Sequence, residues 1–283
     1  MFFSVIYPAM EGYLEDFLSS LGRQSNKDFD VFIVNDRFSN FDRYKSRYRL
    51  KIIEQCFDGS PAKVREAGIN YLLQNGKYDA IVFGDSDDYF ADNRIEKVYE
   101  LLKDTDIVVN DLNIIDDSNN IMAINYISKR LQNGEMISSD FILDKNIFGL
   151  TNTAIRMDVI KPIEFHDDLI AIDWFLFSQL LEQGYKAIFS NETTSYYRQH
   201  ENNLVGMQKI SGKNVLKGIR VKVAHYKAMS RNSSKYAMLY ERFQKFEELI
   251  LSDELLLDTY LRKIADMNIN TPLWWEEIKL MEL

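Results

Sequence analysis

The chain has 283 residues, 46% of them hydrophobic and 27% charged, which is enough apolar material for a sizeable core and argues against disorder. Its single cysteine, Cys56, excludes an intramolecular disulfide and any cysteine-rich zinc site, and fits a reducing compartment. The net charge of −9 is unevenly spread, because residues 209–245 carry ten Lys and Arg against one Glu inside an otherwise acidic chain.

Residues 1–10 are apolar, but they lack a basic leading region and Glu11 follows at once, so no signal peptide is expected. No apolar run approaches the roughly 18–20 residues that span a bilayer. The expectation is a soluble, cytoplasmic protein.

Residues 2–7 read as a first strand, stopped by Pro8. Leu14, Phe17, Leu18 and Leu21 recur at three- and four-residue spacing and predict an amphipathic helix. Residues 29–34 form a second buried strand ending in Asn35-Asp36-Arg37, and residues 48–53 a shorter third. Gly59-Ser60-Pro61 opens a helix whose inner face holds Val64, Ala67, Gly68, Tyr71 and Leu72, and Asn75-Gly76 ends it. A strand at 80–83, a helix near Asn93 and a strand at 107–110 follow. This alternation predicts a doubly wound α/β layer of about 110 residues. Residues 121–165 read as mixed β and loop, 168–182 as a helix, and 185–198 as one or two strands. From Ser211 onward the pattern is helical, with a compositional boundary near 205–212.

The chemistry concentrates at Asp85-Ser86-Asp87-Asp88, directly after the buried run Ala80 to Phe83. If strand geometry persists, Asp85 and Asp87 point to one side. Paired carboxylates repel, and hard oxygen donors of this kind suit Mg²⁺ or Mn²⁺ shared with substrate phosphates. Open α/β sheets bind ligands at the carboxyl ends of their strands, where this cluster sits. Two other readings compete. An acidic turn capping the next helix is the plainer one. An EF-hand loop fails, because Tyr89 and Phe90 fall where a ligand and a glycine are required.

Several segments, in order, resemble family 2 glycosyltransferases, the nucleotide-sugar enzymes with a GT-A fold. Ser4-Val5-Ile6-Tyr7-Pro8 resembles the opening strand and proline, and Ser20-Leu21 with Gln24-Ser25 the helix end that follows. Val34-Asn35-Asp36 is similar to the Val-Asp-Asp turn, Gly59 through Ile69 to the helix bearing the Ala-Arg-Asn motif, and Asp85-Ser86-Asp87-Asp88 to the metal motif. Gly149 to Arg156 resembles the stretch where an acceptor-side loop enters a strand. Ala171-Ile172-Asp173-Trp174 sits where the family has its Glu-Asp base motif, and Arg198-Gln199-His200 resembles its Arg-x-His element. The likeness covers residues 2–205.

The resemblance implies a GT-A catalytic domain over 1–208, with a nucleotide half to about 110 and an acceptor half beyond, followed by a helical region at 209–283. It implies a metal-dependent, inverting enzyme that moves a sugar from a nucleoside diphosphate, UDP being expected, to a hydroxyl of a saccharide or lipid-linked saccharide in surface polysaccharide synthesis. Asp36 would accept the imide N–H of uracil or thymine, Pro8 and Arg65 would face the nucleotide, and Arg198 the diphosphate. Asp85, Asp87 and His200 would hold the metal, and Asp173 would be the general base. Two departures stand out: Ile172 replaces the glutamate before Asp173, leaving Asp167 and Asp168 as rival bases, and Asn35 replaces an aspartate.

Trp174 lies on an amphipathic helix and reads as core rather than as a sugar platform. The basic residues Lys213, Lys217, Arg220, Lys227 and Arg231 suit either an anionic membrane surface or packing against the acidic domain or a second copy; packing is the reading favoured. Two other function classes stay open on sequence. Phosphoryl transfer would also use carboxylate-bound Mg²⁺, but the chain offers no glycine-rich phosphate loop near its start. A catalytically silent GT-A module that binds glycan or scaffolds an assembly would need none of the carboxylates.

Overall fold

The computed structural model describes residues 1–199, 211–231, 233–267 and 269–282. Its elements in chain order are β1 (Phe2–Ile6), α1 (Leu14–Arg23), β2 (Val31–Asn35), α2 (Asp42–Lys45), β3 (Ile52–Gln55), α3 (Pro61–Asn75), β4 (Ala80–Phe83), β5 (Tyr89–Phe90), α4 (Arg94–Leu101), β6 (Ile107–Ile115), β7 (Ile121–Ala123), β8 (Met136–Ile137), β9 (Thr153–Arg156), α5 (Ile172–Glu182), β10 (Ala187–Arg198), α6 (Gly212–Met229), α7 (Ser234–Ser252) and α8 (Glu254–Asp266).

The strands form one sheet in the order β3-β2-β1-β4-β9-β6-β10-β5. β3, β2, β1 and β4 are all parallel, as expected for strands whose apolar residues are buried on both faces. β9 is wedged antiparallel between β4 and β6, while β6 and β10 run parallel to each other. The chain reverses its direction of growth at β1, between β2 and β4, and the carboxyl ends of these strands open a crevice there.

Alternation along β1 supplies both halves of the core. Phe2 points to the layer made by α1 and α4, among Phe17, Leu18, Ile33 and Val98. Phe3 points the other way, among Phe32, Val64, Phe83 and Phe177. Gly68 allows α3 to lie directly on the sheet, since a Cβ there would collide with Val34 and Phe3. The second core layer continues through Trp174 and Phe177 into Ile219, Tyr226, Phe243 and Tyr260, so α6–α8 share one core with the sheet.

Three boundaries differ from expectation. The strand starting at Ile107 runs on to Ile115 through Asn110, Asp111 and Asn113. These polar residues mask the apolar signal, yet the two buried ones are bonded: Asn110 donates to Ser195 Oγ (3.1 Å), and Asp111 accepts through Oδ1 from the Leu112 and Ile127 N–H groups (both 2.8 Å), its Oδ2 being buried without a partner. The helix expected from 168 starts only at Ile172, leaving Asp167 and Asp168 in the preceding turn. The third strand lies at Ile52–Gln55 rather than 48–53.

Part of the basic block is paired or buried, while Lys213, Arg220, Lys227, Arg231, Arg242 and Lys245 stay exposed. Lys227 pairs with Asp168 (3.1 Å), Lys235 with Glu182 (2.7 Å) and Asp140 (3.0 Å), and Arg220 with Glu247 (3.7 Å). Lys222 is fully buried and donates to the carbonyls of Asp144 (2.6 Å) and Ile278 (2.5 Å); burial pushes its ammonium down to about 7. Among the described residues no helix is long and apolar enough to cross a membrane. The boundary expected near 205–212 lies largely outside the described residues.

Candidate active site

β4 ends at Phe83, and Gly84 begins the acidic turn because a side chain there would strike the rings of Phe2 and Phe90. The turn is tied down twice. Ser86 Oγ donates to the Val5 carbonyl (2.8 Å), fixing it to β1, and the Asp88 N–H donates to the Asp85 carbonyl (3.2 Å). Burial then alternates: Asp85 and Asp87 are part-exposed, whereas Ser86 and Asp88 are buried. Strand geometry stops at Phe83 and the Asp88–Asp85 bond makes the segment a turn, within which Asp85 and Asp87 still repel through their charges.

Asp88 and Arg198 clamp the turn to β10. The Arg198 N–H donates to Asp88 Oδ1 (2.7 Å), and Arg198 Nε donates to the Asp87 carbonyl (2.7 Å). The same guanidinium, 1% exposed, reaches Asn119 Oδ1 (2.7 Å) and Asp16 Oδ2 (3.1 Å). Arg198 thus sits behind the acidic turn and shapes it, where the sequence suggested direct contact with a diphosphate. Asp88 itself is driven well above the usual carboxylate range by burial and then by the charges of Asp87 and Asp85.

A second cation lies beneath the strand. Arg94 is fully buried, donates through Nη2 to the Phe83 carbonyl (2.7 Å) and through Nε to Asn110 Oδ1 (2.9 Å), and covers the Phe90 ring (4.5 Å). Burial pulls its guanidinium down to about 9, while Asp88 and Asp85 hold it up. Nothing in the sequence pattern marks it, because an Arg at a helix start reads as surface.

Toward the crevice, Arg65 on α3 places Nη2 3.8 Å from Asp85 Oδ1 and donates through Nη1 to the Pro61 carbonyl (3.1 Å). Burial and then Asp87 raise Asp85 to about 6, against the pull of Arg65 and Arg94. Tyr7, at the end of β1, has its phenol pushed up by burial and then by Asp87 and Asp85. Its position at a strand carboxyl end was the signal that could have marked it. Pro8 follows it and starts a short 3₁₀ turn.

Asp36 directly follows β2 on the other side of β1, its N–H donating to the Ile6 carbonyl (2.8 Å) and its carboxylate 3.8 Å from Arg37 Nε. Asn35 before it is a structural element of the turn. Its amide donates to the Phe38 carbonyl (3.0 Å) and to Glu54 Oε1 (2.6 Å), and its oxygen accepts the Phe38 N–H (2.7 Å). An aspartate there would confront Glu54, which explains the amide at this position.

Asp173 is in the first turn of α5, where its carboxylate accepts the Trp174 N–H (2.7 Å). Burial raises it to about 7, with a further push from Asp85 and a counter-pull from Arg65, so Asp173 shares one electrostatic neighbourhood with the acidic turn. The rival Asp168 is exposed and paired with Lys227, and Asp167 is exposed. Trp174 is core, as expected: it is fully buried, stacked on His225 (3.9 Å), and donates to the Ile142 carbonyl (2.8 Å).

Asp85 and Asp87 are hard carboxylate donors whose mutual repulsion a divalent cation of the Mg²⁺ or Mn²⁺ kind would relieve. Among the described residues no cluster of three or more His, Cys, Asp or Glu stands ready to hold a metal. His200, the third ligand suggested by the sequence, lies outside the described residues.

A mostly parallel sheet with an acidic turn at the strand beside its switch point places a ligand site at that turn. The chain matches the family described as glycosyl transferase family 2 over residues 4–163, more than half its length, and belongs to that family; it is a glycosyltransferase. It is 27% identical over 223 residues to "dTDP-rhamnosyl transferase RfbG" of Shigella flexneri, covering 69% of this chain and 71% of that one. In fold it is similar to TarS 1-349 of S. aureus (TM-score 0.61, 14% identity, 86% of this chain and 69% of that one). It is also similar to the mannosyltransferase PcManGT of Pyrobaculum calidifontis, solved with GDP-Man and Mn²⁺ (TM-score 0.58, 13% identity, 95% and 75%).

Proposed function

We propose that the protein is a metal-dependent, inverting glycosyltransferase that takes a sugar from a pyrimidine nucleoside diphosphate, UDP in the first instance, to a hydroxyl of a saccharide or lipid-linked saccharide. What supports this reading is the acidic turn that follows β4 in a family 2 chain, with Arg65 beside Asp85 and with Asp173 near enough to feel the charge of Asp85. Asp36 follows the strand on one side of β1 and accepts the imide N–H common to uracil and thymine. That preference is in keeping with a relative named for dTDP-rhamnose and a TarS structure solved with UDP-GlcNAc.

Asp85 and Asp87 would hold a divalent cation, which when bound would supply positive charge to the departing nucleoside diphosphate. Arg65 orients Asp85 and adds positive charge on the nucleotide side. Asp173 takes the proton of the acceptor hydroxyl. The acceptor oxygen forms its bond to the anomeric carbon as the bond to the phosphate oxygen breaks on the opposite face, which inverts the configuration. A carboxylate raised to about 7 suits that role, because it holds the proton well enough to abstract it near neutral pH.

Calorimetric titration with UDP, dTDP, GDP and CDP, each with Mn²⁺ and then with EDTA, tests the donor side. Metal-dependent binding of UDP or dTDP, lost in Asp87→Ala, is the expected result. Equal binding in EDTA, or an unchanged affinity in Asp87→Ala, would remove the metal from the mechanism.

A further inference from the structure

Trp274 lies in the segment after α8, far in sequence from the crevice, yet the fold returns it to the carboxyl edge of the sheet. Its neighbours there are two pieces of the acceptor half. The ring meets Tyr197, next to the end of β10, edge to face (5.8 Å, 85°). It also lies over Gly149, where an added Cβ would be 3.5 Å from the indole Cη2. Gly149 opens the turn that enters β9, and Phe148 before it stacks on Phe177 of α5, the helix that carries Asp173 (4.9 Å).

The segment is held firmly. Arg130 makes two hydrogen bonds to Glu276 (both 2.8 Å), the Tyr126 hydroxyl donates to the Pro272 carbonyl (2.6 Å), and the Asn146 N–H donates to the Trp274 carbonyl (2.9 Å). Trp275 is buried and adopts φ +67°, a costly backbone for a bulky residue, and Thr271 adopts φ +55°. This strain leaves Trp275 inward and Trp274 only part-buried at the rim. The indole N–H of Trp274 has no hydrogen-bond partner among the described residues and is not one of the buried orphan atoms. A flat apolar ring with an open N–H suits the C–H face and hydroxyls of a pyranose.

We propose that Trp274 is a specificity-determining platform on which a pyranose ring of the acceptor stacks as it approaches Asp173. This rests on the glycosyltransferase reading above and extends it to the C-terminal segment.

The test compares wild type, Trp274→Leu and Trp274→Phe, all checked by thermal melting. Leu keeps apolar packing without the flat ring, and Phe keeps the ring. Each protein is titrated with UDP–Mn²⁺ by calorimetry, and with methyl α-L-rhamnopyranoside and methyl N-acetyl-β-D-glucosaminide by saturation-transfer NMR, with and without nucleotide. The expected result is weaker pyranoside binding in Trp274→Leu by about fivefold to tenfold, recovery to within about threefold in Trp274→Phe, and nucleotide affinity unchanged in both. Equal pyranoside binding by wild type and Trp274→Leu would overturn the platform. So would a wild type that binds UDP–Mn²⁺ but neither pyranoside. A wild type that binds pyranosides through Trp274 but no nucleotide would uphold the platform and overturn the donor assignment instead.

Discussion

Replacing Asp173 by Asn should slow transfer severely and at the same time stabilise the protein at alkaline pH. The carboxyl is lifted from an ordinary value of 3.8 to about 7, chiefly by burial, with Asp85 adding to the lift and the Trp174 N–H opposing it. Fully expressed, the rise from 3.8 to about 7 corresponds to about 4 kcal/mol, and partial solvent access reduces this to about 1–3 kcal/mol. The sign follows from proton binding. Between pH 3.8 and about 7 the native protein holds a proton that the unfolded chain has lost, so stability falls as pH rises through this window. Above about 7 the whole burden of a buried carboxylate is present, and Asn removes it. Urea unfolding of both proteins at pH 8 and pH 5 should therefore show a gain in the variant at pH 8 that shrinks at pH 5. Transfer should drop by about 10²–10⁴-fold, with UDP affinity retained, and wild-type turnover should rise with pH through about 7. A variant that keeps its transfer rate, or whose stability gain is the same at both pH values, would refute the reasoning.

Two further substitutions probe the supports of the site. Arg94→Met leaves the Phe83 carbonyl without its guanidinium donor and Asp88 without a nearby buried cation, so it should cost about 3–5 kcal/mol in urea unfolding, with Arg94→Lys losing less. Equal stability of Arg94→Met and wild type would show that the cation is not needed beneath the acidic turn. Asn35→Asp restores the family's acidic pair but sets a carboxylate against Glu54 at a 2.6 Å contact and removes the donor to Phe38. It should lower stability by about 1–3 kcal/mol, and Glu54→Gln in the same chain should recover most of that loss.

The parallel half of the sheet was legible because its strands are short apolar runs separated by well-marked helices. The proline start of α3 and its Asn75-Gly76 end fell where the sequence put them. The acids after β4 were legible as a cluster, but the two-residue period expected for them gave way to a turn closed by the Asp88–Asp85 bond. Asp173 needed the resemblance to be singled out, since periodicity extends the helix back to 168 and makes Asp168 its equal. Only the packed structure separates them, by turning Asp168 outward to Lys227 and burying Asp173 within reach of Asp85's charge.

What the chain's local pattern determined, then, was which segments are strands and which end of one strand carries the acids, because periodicity and turn chemistry act over a few residues. What tertiary structure alone decided were the long-range meetings. Arg198 comes to the Asp87 carbonyl across more than a hundred residues, Arg94 goes beneath β4, Lys222 leaves a basic helix face for two buried carbonyls, and Trp274 reaches Gly149. Each depends on the sheet order and on where buried polar groups find partners. No local pattern encodes those conditions, because the desolvation that selects them exists only once the layers have closed.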